Sequence, residues 1–151
     1  MTVVFYLSAA VALISTALMI TRANAIHALL YMVLSLFSMA VIFFVLGAPF
    51  AAALEVIIYA GAIMVLFVFV IMMLAPGRHR DDEALEGPRP SAFVMPAIIA
   101  VVLLGEIAWV AWRGGLGPAS GTSVAPDQVG ATLFGPYLSA VEMASLLLLA
   151  G

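Results

Sequence analysis

AAALEVIIYAGAIMVLFVFVIMML, residues Ala51 to Leu74, is the stretch that decides the class of fold. It carries a single charged side chain, Glu55, near its head. About 20 mostly apolar residues cross the roughly 30 Å hydrocarbon core of a bilayer, and this stretch is longer than that. Val65 to Leu74 is apolar without a break and has none of the alternation that a barrel strand needs. In hydrocarbon every backbone N–H and C=O must be bonded within the protein, so a membrane-spanning helix is expected.

The rest of the chain extends the pattern. Further spans are predicted at about Val3 to Ile20, Ala25 to Leu46, Phe93 to Trp112 and Tyr137 to Gly151. The expected fold is therefore an all-α, polytopic membrane protein of five transmembrane helices. It forms one membrane domain over residues 1–151, with the longer loops at 75–92 and 113–136. Thr21-Arg22-Ala23-Asn24 supplies a short polar turn, and Gly47-Ala48-Pro49 breaks the helix. Pro76-Gly77 ends the third span, and Gly114-Gly115-Leu116-Gly117-Pro118 ends the fourth. Val129 to Phe134 has the pattern of a short amphipathic turn at the interface. The fifth span would reach only about 22 Å at 1.5 Å per residue, so the natural chain is expected to continue.

Composition agrees with this class. Apolar residues make up 66% of the chain and charged ones 9%, far from the balance of a soluble domain. There is no cysteine, which excludes disulfides, zinc-thiolate sites, iron–sulfur ligation and a cysteine nucleophile. There is no lysine, and five scattered arginines form no stripe for a nucleic acid. The first apolar run has no basic residue before it, so it is taken as a retained span although Ala23-Asn24-Ala25 has the form of a cleavage site. Arg22, Arg78, Arg80 and Arg89 fall in alternate loops, and Arg113 alone lies on the opposite side. The positive-inside rule then puts the N-terminus outside and the C-terminus inside.

Three carboxylates fall within spans: Glu55, Glu106 and Glu142. Ionisable groups in hydrocarbon are costly and often mark ion pathways. All three lie toward the outer side, Glu55 about 6 Å and the others about 9 Å from the span end. Two readings stand for each: a proton-carrying acid, or a side chain near the interface that reaches water. Tyr59, four residues after Glu55, shares its helix face and can begin a hydrogen-bonded path inward. His27 near the inner end of the second span is either a relay or an ordinary interfacial histidine. His79 in the charged loop is expected to be solvated, and two distant histidines make no metal site. Ala60-Gly61-Ala62 follows bulky residues. Such small side chains permit close helix packing, and the glycine also makes a π-bulge affordable. No nucleotide loop or nucleophile triad is present.

Glu55-Val56-Ile57-Ile58-Tyr59-Ala60-Gly61-Ala62-Ile63-Met64 and the apolar run that follows closely resemble the third span of the subunit J family of proton-pumping NADH:quinone oxidoreductase, respiratory complex I. The mitochondrial counterpart is ND subunit six. Asn24 to Phe50, Leu133 to Tyr137 and Glu142 to Leu147 also resemble this family, whereas Arg78 to Gly130 does so weakly. The resemblance implies five spans in a bacterial inner membrane and a seat between the quinone-module and antiporter-like subunits, among lipid. It implies no cofactor in this chain, although the whole complex uses FMN, iron–sulfur clusters, NADH and a quinone. By the same resemblance, Glu55 and Tyr59 belong to a proton path. Tyr59, Ala60, Gly61, Ala62, Ile63, Met64 and Phe67 form a helix switch whose change of register gates water between quinone chemistry and proton movement. The alternatives are a stand-alone proton or solute transporter and a purely structural membrane subunit.

Overall fold

The computed structural model describes residues 2–74, 91–112 and 123–151, with side chains in the fourth span described from Phe93 onward. The described residues form helices in the order α1 (Thr2–Thr21), α2 (Ala25–Val45), α3 (Pro49–Leu54), a π-helix (Glu55–Ile63), α4 (Met64–Leu74), α5 (Ser91–Trp112), α6 (Pro126–Leu133) and α7 (Leu138–Ala150). No strand occurs among the described residues. Among the described residues, four helices are long and apolar enough to cross a membrane: α1, α2, the continuous Pro49–Leu74 helix and α5. The pair α6 and α7 makes a fifth when taken as one span, bent by 87°. The arginines and histidine of the 75–90 segment, Arg113 and the glycine cluster after it lie outside the described residues.

Local chemistry explains the boundaries. Asn24 caps α2, its side-chain oxygen accepting from the Ile26 N–H at 2.9 Å and the His27 N–H at 3.4 Å. At the far end, the Ala48 N–H donates to the Phe43 carbonyl and the Gly47 N–H to the Phe44 carbonyl, which closes α2. Gly47 has φ 88°, the left-handed conformation that a side chain disfavours. Pro49 then opens α3 in the first turn, where its missing N–H costs nothing. The linker expected from the sequence over 113–136 contains α6, which carries Gln128 against the Ala125 N–H at 3.3 Å.

The hairpin of α1 and α2 is the framework. Ser8, Ser15 and Ser38 are fully enclosed, and Tyr31 is almost so. Thr16 and Ser35 share a hydrogen bond of 2.9 Å across the pair, and both hydroxyls also reach the Ala12 carbonyl. Small and hydroxyl-bearing residues are what allow helices to approach closely when lipid gives no hydrophobic drive. The Arg22 guanidinium lies 5.4 Å from the Tyr31 ring centre and covers one end of the hairpin. The Pro49–Leu74 helix packs along α2, and α5 packs on α2 and α1. The Val124 N–H donates to the Gly47 carbonyl at 2.9 Å, tying the chain before α6 to the turn before α3.

A methyl group on Gly47 should strain this turn. Gly47→Ala is expected to cost about 1–2 kcal/mol. The check is thermal inactivation of the purified protein in detergent, which should fall to lower temperature than wild type.

Candidate functional site in the third span

The third span changes register partway along its length. Pro49–Leu54 is α-helical, Glu55–Ile63 is π-helical, and Met64–Leu74 is α-helical again. A π-helix bonds each N–H to the carbonyl five residues back, a rare arrangement that is often found at functional sites. The run Val56-Ile57-Ile58-Tyr59 is bulky, and Ala60-Gly61-Ala62 is small. A Cβ placed on Gly61 would stand 3.2 Å from the Val56 carbonyl oxygen, the fifth residue back. The glycine therefore sits where the wider turn brings backbone closest to its side-chain position. At the exit the Met64 N–H is shared between the Gly61 and Tyr59 carbonyls.

The residues expected to form a switch divide into an outward face and one buried side chain. Tyr59 is 51% exposed and Phe67 47%, whereas Met64 is 1% exposed. Ala62 is exposed, and Ala60, Gly61 and Ile63 are partly covered. Met64 is thus the one fully buried side chain of this set. Glu55 is half-buried, and neither it nor Tyr59 hydrogen-bonds to the other among the described residues. The two share one segment, but any link between them needs a third group.

Apolar grooves flank the third span. One, of about 520 Å³, lies between α2, the head of the third span and α5, with Phe44, Val45, Ala52, Val56, Ile107 and Val110 on its walls. The other, of about 490 Å³, separates α2 from α4 and is walled by Ile26, Leu30, Val33, Val68, Ile71 and Met72. Beside this groove the Met64–Leu74 part of the span is accordingly bordered by hydrocarbon side chains, as its sequence implies.

The other two acids part company. Glu106 on α5 is 7% exposed and accepts a 2.8 Å hydrogen bond from the Ser8 hydroxyl of α1. It does not reach solvent from this bundle. Glu142 on α7 is exposed, and Ser145 bonds its backbone carbonyl, not its carboxyl. The structure brings neither acid to Glu55. His27 lies against the Phe93 ring, 5.1 Å between centres. Among the described residues no group of three His, Cys, Asp or Glu side chains could hold a metal. Sequence reasoning passed over Ser8. Its only signal was the seven-residue spacing to Ser15, which sets both on one face of α1.

A span of this composition, with a π-segment beginning at an acid and centred on Tyr59 to Gly61, is specific enough to compare. The family described as NADH-ubiquinone/plastoquinone oxidoreductase chain 6 matches residues 15–151. The chain belongs to this family. Its relatives include NADH-quinone oxidoreductase subunit J of Pseudomonas aeruginosa, 50% identical over 147 residues, which covers 97% of this chain and 89% of that protein. Subunit J of Escherichia coli strain K12 is 46% identical over 147 residues, 97% of this chain and 80% of its own. Subunit J of Rhodobacter capsulatus is 34% identical over 155 residues, 96% and 74% respectively.

Gly61→Val tests the geometry of this family member's third span. The added Cβ meets the Val56 carbonyl, and β-branching stiffens the backbone further. The π-segment should shorten or move, which structure determination of the variant would reveal as altered hydrogen-bond spacing between Val56 and Met64.

Proposed function

We propose that this chain is a membrane-arm subunit of a bacterial proton-pumping NADH:quinone oxidoreductase, and that its third span gates a water and proton path. The observation that carries the reading is the π-segment Glu55–Ile63, which starts at an acid and includes Tyr59 and Gly61. Support for the assembly comes from relatives named NADH-quinone oxidoreductase subunit J. In that role the chain works as part of a translocase. NADH, FMN, iron–sulfur and quinone chemistry belong to other subunits, and this chain supplies helices and acids.

The mechanism follows from helix geometry. Regularising a π-turn removes one residue of offset, and one residue in an α-helix is about 100° of rotation and 1.5 Å of rise. Everything after Ile63 turns with it. Met64 leaves its buried seat, another side chain takes it, and Phe67 sweeps to a new direction. A protonic path that starts at Glu55 and Tyr59 is then opened or closed by what the lower half presents. A bistable element of this kind shifts population when a partner binds one form better than the other. The quinone-module and antiporter-like subunits are the proposed partners, with lipid filling the remaining surface. The chain lies in the inner membrane with its N-terminus periplasmic and its C-terminus cytoplasmic.

An affinity-tagged copy is expected to purify with a large NADH-oxidising assembly; recovery of the chain alone would sink the reading. In the assembled enzyme, Tyr59→Phe and Glu55→Gln should lower protons moved per NADH several-fold more than they lower quinone reduction. Equal stoichiometry in both variants and wild type would leave only a structural role.

A further inference from the structure

Away from the third span, buried polar groups gather between α1 and its neighbours. Ser8, Ser15 and Ser38 have no exposed surface. Serines at helix contacts are ordinary packing groups in membranes and alone imply nothing more. The carboxyl of Glu106 is another matter. One oxygen, Oε2, accepts from the Ser8 hydroxyl at 2.8 Å. The other, Oε1, is buried and has no hydrogen-bond partner among the described residues.

An ionised carboxylate offers about four acceptor positions and needs donors or a cation to fill them. Burying it without them costs several kcal/mol. Glu106 is met by one neutral hydroxyl. The described basic side chains are remote: Arg22 lies about 21 Å along the helix direction from Ser8, at 1.5 Å per residue. His27 lies beside Phe93, two residues into α5, whereas Glu106 is near the other end of that helix. A neutral acid fits the same surroundings. Its carbonyl oxygen, Oε2, takes the Ser8 bond, and the proton rests on Oε1.

We propose that Glu106, held by Ser8, is a proton-carrying carboxylic acid enclosed between α1 and α5, a second protonatable site separate from Glu55 and Tyr59. Its ligand is a proton. Unloading breaks the Oε1–H bond and forms an O–H bond on an acceptor water, leaving carboxylate and hydronium; loading is the reverse. Ile107, the next residue, lines the same apolar groove as Val56. That groove, lined by hydrocarbon side chains, also borders the head of the third span.

The site does not rest on the role proposed for the third span. Its test is infrared absorption of the purified protein, as the assembly or as the tagged chain if that purifies alone. The wild-type spectrum minus that of Glu106→Gln should show the carbonyl band of a neutral carboxylic acid, moving to lower frequency in heavy water. Ser8→Ala keeps the acid but removes its hydrogen bond, so the band should move to higher frequency. Carboxylate bands in place of the acid band would overturn the proposal. A band that Ser8→Ala leaves unmoved would overturn the pairing. Should Glu106→Gln fail to fold, the Ser8→Ala shift against wild type decides alone, and its absence counts against the site.

Discussion

Everything in this molecule depends on one constraint: backbone amides in hydrocarbon must find partners within the protein. That rule makes helices of the spans and leaves few ways for a span to be irregular. The third span uses one of them. By bonding five residues back instead of four, it stays closed while its register shifts. The irregularity is confined to Glu55–Ile63, and regular helix resumes on both sides. A kink or an unwound turn would have exposed polar backbone to lipid, whereas a π-helix changes direction and phase with its hydrogen bonds intact.

The spans were legible in the sequence because hydrophobic length is a direct physical requirement. Their ends were legible wherever a cap or breaker acts through local chemistry, as at Asn24, Gly47 and Pro49. The third span begins at Pro49 and not at Ala51, since a proline is comfortable in the first turn. In the linker before the last span, the amphipathic pattern of Val129 to Phe134 was legible, but not that the helix starts at Pro126. The π-segment was only half legible. Gly61 among bulky neighbours makes a register change affordable, but the same small residues also suit close packing, and composition does not separate the two.

The acids show a sharper limit. Glu55, Glu106 and Glu142 look alike as carboxylates at similar distances from span ends. Their surroundings differ because exposure depends on which helix face meets another helix. Glu106 turns into the bundle and finds Ser8, while Glu142 points away from it. Long-range pairing of a hydroxyl on the first helix with a carboxyl on the fourth span leaves no mark in either local sequence. Only the antiparallel packing of α1 and α5 puts them at one depth.

The head of the third span is fastened. Gly47, Ala48 and Pro49 fix its start, and Val124 bonds the same turn from another part of the chain. Its lower half has Met64 as its only fully covered side chain, and Leu66, Met72, Met73 and Leu74 stand largely open. A rod clamped at one end delivers torque at the other. A change of register in the π-segment would therefore appear as twist at the Leu74 end and leave the Pro49 end in place.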